Sequence, residues 1–236
     1  SDSMEDVWNR GGRWKPRPDA VLTVPDELDP PDLEFYSGNA FWYRDRCYMM
    51  VLNYAASPLS ARKHAPQMDT EWWTGRDGLR WERPGRSVNA LGDAFPGNAR
   101  ITHNPLLLNG QLLFRFGGCL VGMKQDRLSF VGARANAEFS TAAFVMPAGD
   151  LLLNAATPSP DRPFAAQQSY IMSAGLDEKG RVVPGFEADA CVFKGVDQTE
   201  LPLLWNGRSA RQLAGQTLRL RFYLRSASIC AVTCQE

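Results

Sequence analysis

Asp32 and Glu34 are the first residues along the chain whose types and spacing suit chemistry on a substrate. Leu33 separates them, so in extended backbone both carboxylates face the same way. Two carboxyl groups cleave a glycosidic bond when one is protonated to assist the leaving oxygen and the other is ionised. Separations of ~5–5.5 Å give retention and ~6.5–9.5 Å give inversion. The pair follows Pro30-Pro31, and a solvated acidic loop is the plain alternative. Tyr36, two residues on, supplies a ring of the kind that lies against the C–H face of a sugar. Trp72 supplies a second ring, after Asp69 and Glu71, whose period-two spacing reads as a strand edge with one wet face. Asp93, in the loop Gly92-Asp93-Ala94-Phe95, can reach a channel mouth, and Arg100 and His103 fall in a strand before residue 107. An imidazole beside a sugar can donate to a hydroxyl or tune an adjacent acid, whereas a hydrogen-bonded core histidine does neither. Asp77 reads differently, as a turn carboxylate held by backbone amides.

Other chemistries find little material. Lys plus Arg and Asp plus Glu number 26 each, so no global field favours nucleic acid or an anionic membrane. No apolar run approaches the roughly 18 residues of a membrane helix. Five cysteines form no CxxC pair and there are two histidines, which does not make a zinc set. An odd number leaves at least one thiol outside intramolecular pairing, and buried free thiols are the expectation. The acidic stretch Pro25-Asp26-Glu27-Leu28-Asp29 lacks the EF-hand order, so no metal site is assigned. No phosphate loop, nucleophile elbow or Ser/His/Asp set is present, and no organic cofactor is implied. The opening Ser1-Asp2-Ser3-Met4-Glu5-Asp6 is polar and acidic, which says little about compartment.

Strand patterns dominate the elements that must position these groups. Residues 37–43 and 47–54 read as a hairpin around Arg44-Asp45-Arg46. Residues 71–74 lead to the Asp77-Gly78 turn, and 80–83 return, making one four-stranded blade whose Trp81 wedges under the next. A second blade opens at 100–107, turns at Asn109-Gly110 and returns through 111–116. Beyond Gly117-Gly118 the texture changes to short strands between Pro-, Gly- and Asp-rich loops. In 217–225, Leu218, Leu220, Phe222 and Leu224 alternate with Arg219, Arg221, Tyr223 and Arg225, a strand with one face on a core. Trp205, before Asn206-Gly207, reads as core.

The later part carries Asp126-Arg127-Leu128-Ser129-Phe130-Val131, Phe139-Ser140-Thr141 and Leu151-Leu152-Leu153-Asn154-Ala155. Val183-Pro184-Gly185-Phe186, Asp189-Ala190-Cys191, Leu204-Trp205-Asn206-Gly207 and Leu213-Ala214-Gly215 follow. In this order they resemble the β-sandwich appended to glycoside hydrolase family 32/43-like proteins, five-bladed propeller enzymes related to invertases and arabinanases. The resemblance implies an all-β chain: about two carboxyl-terminal propeller blades over 1–122, then a jelly-roll-like β-sandwich over 123–236. It implies hydrolysis of glycosidic bonds in an oligo- or polysaccharide, without a cofactor, in an extracellular or periplasmic setting. Asp32 and Glu34 would then be the catalytic candidates, with Tyr36, Trp72, Asp93, Arg100 and His103 contacting substrate. The family's catalytic motifs, Asn-Asp-Pro and Arg-Asp-Pro, are absent, since Arg44-Asp45 continues into Arg46. Two blades cannot close a ring, so another polypeptide or an upstream segment is expected to complete the propeller. A non-catalytic glycan-binding protein and a structural subunit are the competing readings.

Overall fold

Alternating large apolar and polar residues lay most of the described chain out as strands. In the computed structural model, which describes residues 23–55, 68–86, 104–116, 118–157 and 168–235, the chain is all-β. The described residues fall into two units. One is drawn from Ser1–Leu106 and Leu113–Gly122, the other from Leu107–Leu112 and Met123–Glu236.

The first unit is built on β1 (Leu33–Tyr43), β2 (Arg46–Ala55) and β3 (Met68–Gly75), an antiparallel sheet in that order. The pairings put Met49, Val51 and Asn53 of β2 on one face with Glu71 and Trp73 of β3. Tyr48, Met50 and Leu52 share the other face with Trp72. Met49, Val51 and Trp73 form a buried cluster against Phe35 and Trp81. On the opposite face Phe41, Tyr48, Trp72 and Phe114 meet edge to face or stacked, their centroids 5.8–6.4 Å apart. Both sides of β2 are therefore covered, as its run of Cys47–Leu52 requires.

The expected fourth strand is reduced to one reciprocal pair, Thr74 N to Glu82 O at 3.0 Å and Glu82 N to Thr74 O at 2.8 Å. The connection between them is a loop over 75–81 rather than a tight hairpin. Asp77 Oδ1 accepts from Leu79 N at 2.9 Å and Arg80 N at 2.8 Å, and Gly78 takes φ 70°. Those two bonds satisfy backbone donors that a longer strand pair would have used. Trp81 packs against the Met49, Val51 and Trp73 cluster of its own sheet.

A second sheet follows, β4 (Leu106–Leu108), β5 (Gln111–Phe116) and β6 (Cys119–Lys124), paired in that order. Asn109 and Gly110 take φ 49° and 70°, the left-handed pair that a two-residue hairpin demands. The hairpin is where the Asn-Gly signal puts it. The third strand, β6, adds to it beyond what the local pattern announces.

The second unit is organised by β15 (Thr217–Gln235), nineteen residues long. Its other strands are β7 (Val131–Ser140), β8 (Phe144–Val145), β9 (Asp150–Ala156), β10 (Tyr170–Leu176), β11 (Val192–Phe193) and β12 (Asp197–Pro202). A small hairpin of β13 (Leu204–Trp205) and β14 (Arg208–Ser209) completes the set. One edge of β15 pairs with β7 across Arg221–Ile229, while the other exchanges partners. It pairs with β10 over Arg219–Arg225 and with β9 over Ser228–Gln235. At the exchange Ser226 adopts φ 44° and the register with β7 shifts. Leu218, Leu220, Phe222 and Leu224 are buried, and after this corner burial resumes at Ala227 and Ile229. The extra residue keeps the apolar side inward as the strand bends, and the resulting sheet curls into a half-barrel. Its core gathers Leu153, Ile171, Leu203, Trp205 and Phe222, with the Trp205 indole N–H donating to Ser173 O at 2.7 Å.

Candidate functional site

The entry to β1 carries three of the sequence candidates, Asp32, Glu34 and Tyr36. A turn closed by Leu33 N to Pro30 O, 3.0 Å, delivers the chain into the strand. Asp32 sits half-buried in it and Glu34 is exposed one pleat later, directly opposite Tyr54 on β2. The register shifts between Phe35 and Ser37, so Tyr36 is the extra, bulged residue. It stays 54 % exposed, its ring 6.0 Å from Tyr54 at 46°. Among the described residues, the carboxylates of Asp32 and Glu34 have no hydrogen-bonding or ion-pair partner.

Trp72 is placed otherwise. It lies half-buried between Phe41, Tyr48 and Phe114, which occupy its ring from three sides. Asp93, Arg100 and His103 lie outside the described residues.

The densest polar cluster of this unit is one that local sequence pattern does not reveal. Glu71, expected on a wet face, is 1 % exposed. The reason is Arg83, whose guanidinium makes paired contacts with two carboxylates. Nε and Nη2 donate to Glu71 at 2.7 and 2.9 Å, and Nη1 and Nη2 donate to Asp29 at 2.6 and 2.8 Å. The Asp29 and Arg83 side chains are 0 % and 7 % exposed. The guanidinium carbon lies 5.1 Å from the Phe35 ring centre and 4.9 Å from that of Trp73. Asn53 Nδ2 adds a bond to Glu71 at 2.9 Å, and Arg86 bridges Asp29 and Asp26. The one signal in sequence is an acid at an inward-facing strand position with an arginine twelve residues on. Nothing local pairs the two.

The cluster is suited to holding structure. Burial raises the Asp29 carboxyl, but Arg83, the Asp26 amide and Arg86 outweigh it and hold the group down to about 2. The same carboxylates push Arg83 above its ordinary value, against the opposing pull of its burial. With both oxygens of Asp29 already accepting from two donors each, it is neither a proton donor near neutral pH nor an open ligand for a cation. The acidic stretch 25–29 thus commits Asp26 and Asp29 to arginine.

A second polar knot anchors the start of the other unit. Arg127 donates to Asn154 Oδ1 at 2.8 Å and to Asp197, Lys124 joins Asp197 at 2.8 Å, and Asn154 Nδ2 donates to Gln125 O at 2.9 Å. These contacts pin 124–127 across β9 and β12.

No family model, no curated protein and no solved structure matches this chain.

Proposed function

We propose that this is a carbohydrate-recognising protein of the propeller-plus-sandwich kind, with a saccharide subsite at the entry to β1. The observation that carries the reading is the Tyr36 ring, 54 % exposed on a strand bulge beside Tyr54, which Glu34 faces across the pairing. Flat rings take the C–H face of a sugar, and a neighbouring carboxylate accepts from its hydroxyls. The three-stranded sheet, its middle strand covered on both sides, supports a propeller blade, and the bent strand β15 shared between β10 and β9 supports a sandwich. On this reading the partner is an oligo- or polysaccharide, and further blades come from another polypeptide or from upstream sequence. Titrating the protein with a panel of neutral oligosaccharides by calorimetry tests it. Tyr36→Ala is expected to weaken binding roughly tenfold, about 1.4 kcal/mol. Equal affinity for the variant refutes the subsite.

Hydrolysis is the second reading, favoured by Asp32 and Glu34, at the same entry to β1, having no partner among the described residues. Release of reducing ends from the bound oligosaccharide, abolished in Asp32→Asn or Glu34→Gln, supports it. Binding without turnover leaves the protein a glycan binder.

A further inference from the structure

Beside the corner of β15 a cleft of about 560 Å³ lies over the paired strands β7, β15 and β9, wholly within the second unit. We infer that this cleft is a second saccharide site, and that it takes a sugar ring bearing a carboxylate. The inference rests on the carbohydrate reading above and extends it to a different surface.

Three features carry it. Phe130 is 68 % exposed at the cleft wall, a large apolar ring left in water. Its place depends on Gly132: a Cβ there would come within 2.9 Å of the Phe130 ring. The absence of a side chain at 132 lets the ring lie down over the backbone as a platform. Arg134 lines the same cleft with its side chain exposed, and among the described residues its guanidinium enters no hydrogen bond or ion pair. An unengaged planar cation next to a ring matches a carboxylate on a pyranose, because the fork can take both carboxylate oxygens while the ring is stacked. The third feature is the floor. Ser226 Oγ donates to Arg134 O at 3.0 Å and Ser228 Oγ to Ala156 O at 3.5 Å. With its hydrogen committed to a carbonyl, the Ser226 hydroxyl presents lone pairs and accepts from sugar hydroxyls. Ser226 is also the residue held at φ 44°, at the register shift between β15 and β7. Platform, cation and acceptor therefore line one cleft.

The test uses the full chain, 15N-labelled, with trigalacturonate as probe and maltotriose as its neutral counterpart. Trigalacturonate is expected to shift the amide signals of Gly132 and Ala133 and to bind more weakly as salt rises. Phe130→Ala and Arg134→Gln are each expected to weaken it about tenfold. Gly132→Ala, which displaces the ring without deleting it, is expected to weaken it too, while Tyr36→Ala leaves it unchanged. Maltotriose binding as tightly at these residues, or Arg134→Gln having no effect, overturns the acidic-sugar assignment. No shift at Gly132 and Ala133 overturns the site. If neutral glycans bind through Tyr36 while trigalacturonate ignores Phe130, the second site falls and the first subsite stands. If trigalacturonate binding depends on Phe130 while neutral glycans are indifferent to Tyr36→Ala, the second site stands and the first subsite falls.

Discussion

Arg83→Met keeps much of the side-chain volume but withdraws the guanidinium from between Asp29 and Glu71. Four N–H···O contacts disappear from carboxylates whose side chains are 0 % and 1 % exposed. Removing one partner of a buried pair costs ~3–5 kcal/mol, because the remaining charge is stranded. Asp29 keeps Arg86 at 2.7 Å and Glu71 keeps Asn53 at 2.9 Å, which places the expected loss near the lower end, about 3 kcal/mol. Urea unfolding followed by tryptophan fluorescence reads it directly, since the Trp73 ring centre is 4.9 Å from the group removed. Adding Glu71→Gln to Arg83→Met should recover about 1 kcal/mol, as a neutral amide needs no counter-charge. Acid supplies an independent arm. The Asp29 carboxyl is held at about 2 against an ordinary 3.8, so its folded value is depressed. Its contribution is complete above about pH 4 and is lost as pH falls toward 2, about 2 kcal/mol in all. Asp29→Asn should flatten that limb of the stability curve. An unchanged urea midpoint in Arg83→Met, with no recovery on adding Glu71→Gln, refutes the claim that this network holds the first unit together.

The second unit and the thiols give further outcomes. Trp205→Ala empties a buried site and strands the Ser173 carbonyl that the indole contacts at 2.7 Å, so thermal unfolding should show a loss of ~3–5 kcal/mol. Ser226→Val puts a β-branched residue at φ 44°; it should cost ~1–3 kcal/mol and speed hydrogen exchange in β15, and unchanged exchange would mean the corner carries no strain. Native iodoacetamide labelling at pH 8, read by mass spectrometry, should modify the exposed Cys119 and Cys234 first. Burial pushes the Cys191 thiol up to about 12 and raises Cys47 and Cys230, so Cys191 should label only after unfolding.

Local pattern determines a good deal of this protein. Strand alternation marks the buried side of residues 218–224, Asn109-Gly110 sets a hairpin, Asp77 declares itself a turn carboxylate, and Trp205 falls in the core. Each of these is decided by a few neighbouring residues, through side-chain period, permitted φ or a bond two residues away. Tertiary structure alone decides the rest. Glu71 is buried because Arg83, brought back by the loop after β3, neutralises it together with Asp29 from before β1. No short window contains that triangle. The bend at Ser226, beside the cleft lined by Phe130 and Arg134, arises where β15 exchanges β10 for β9, and a serine in sequence gives no sign of it. Charge pairing across 54 residues and strand exchange at a corner are long-range events, set by which segments meet and not by what each prefers alone.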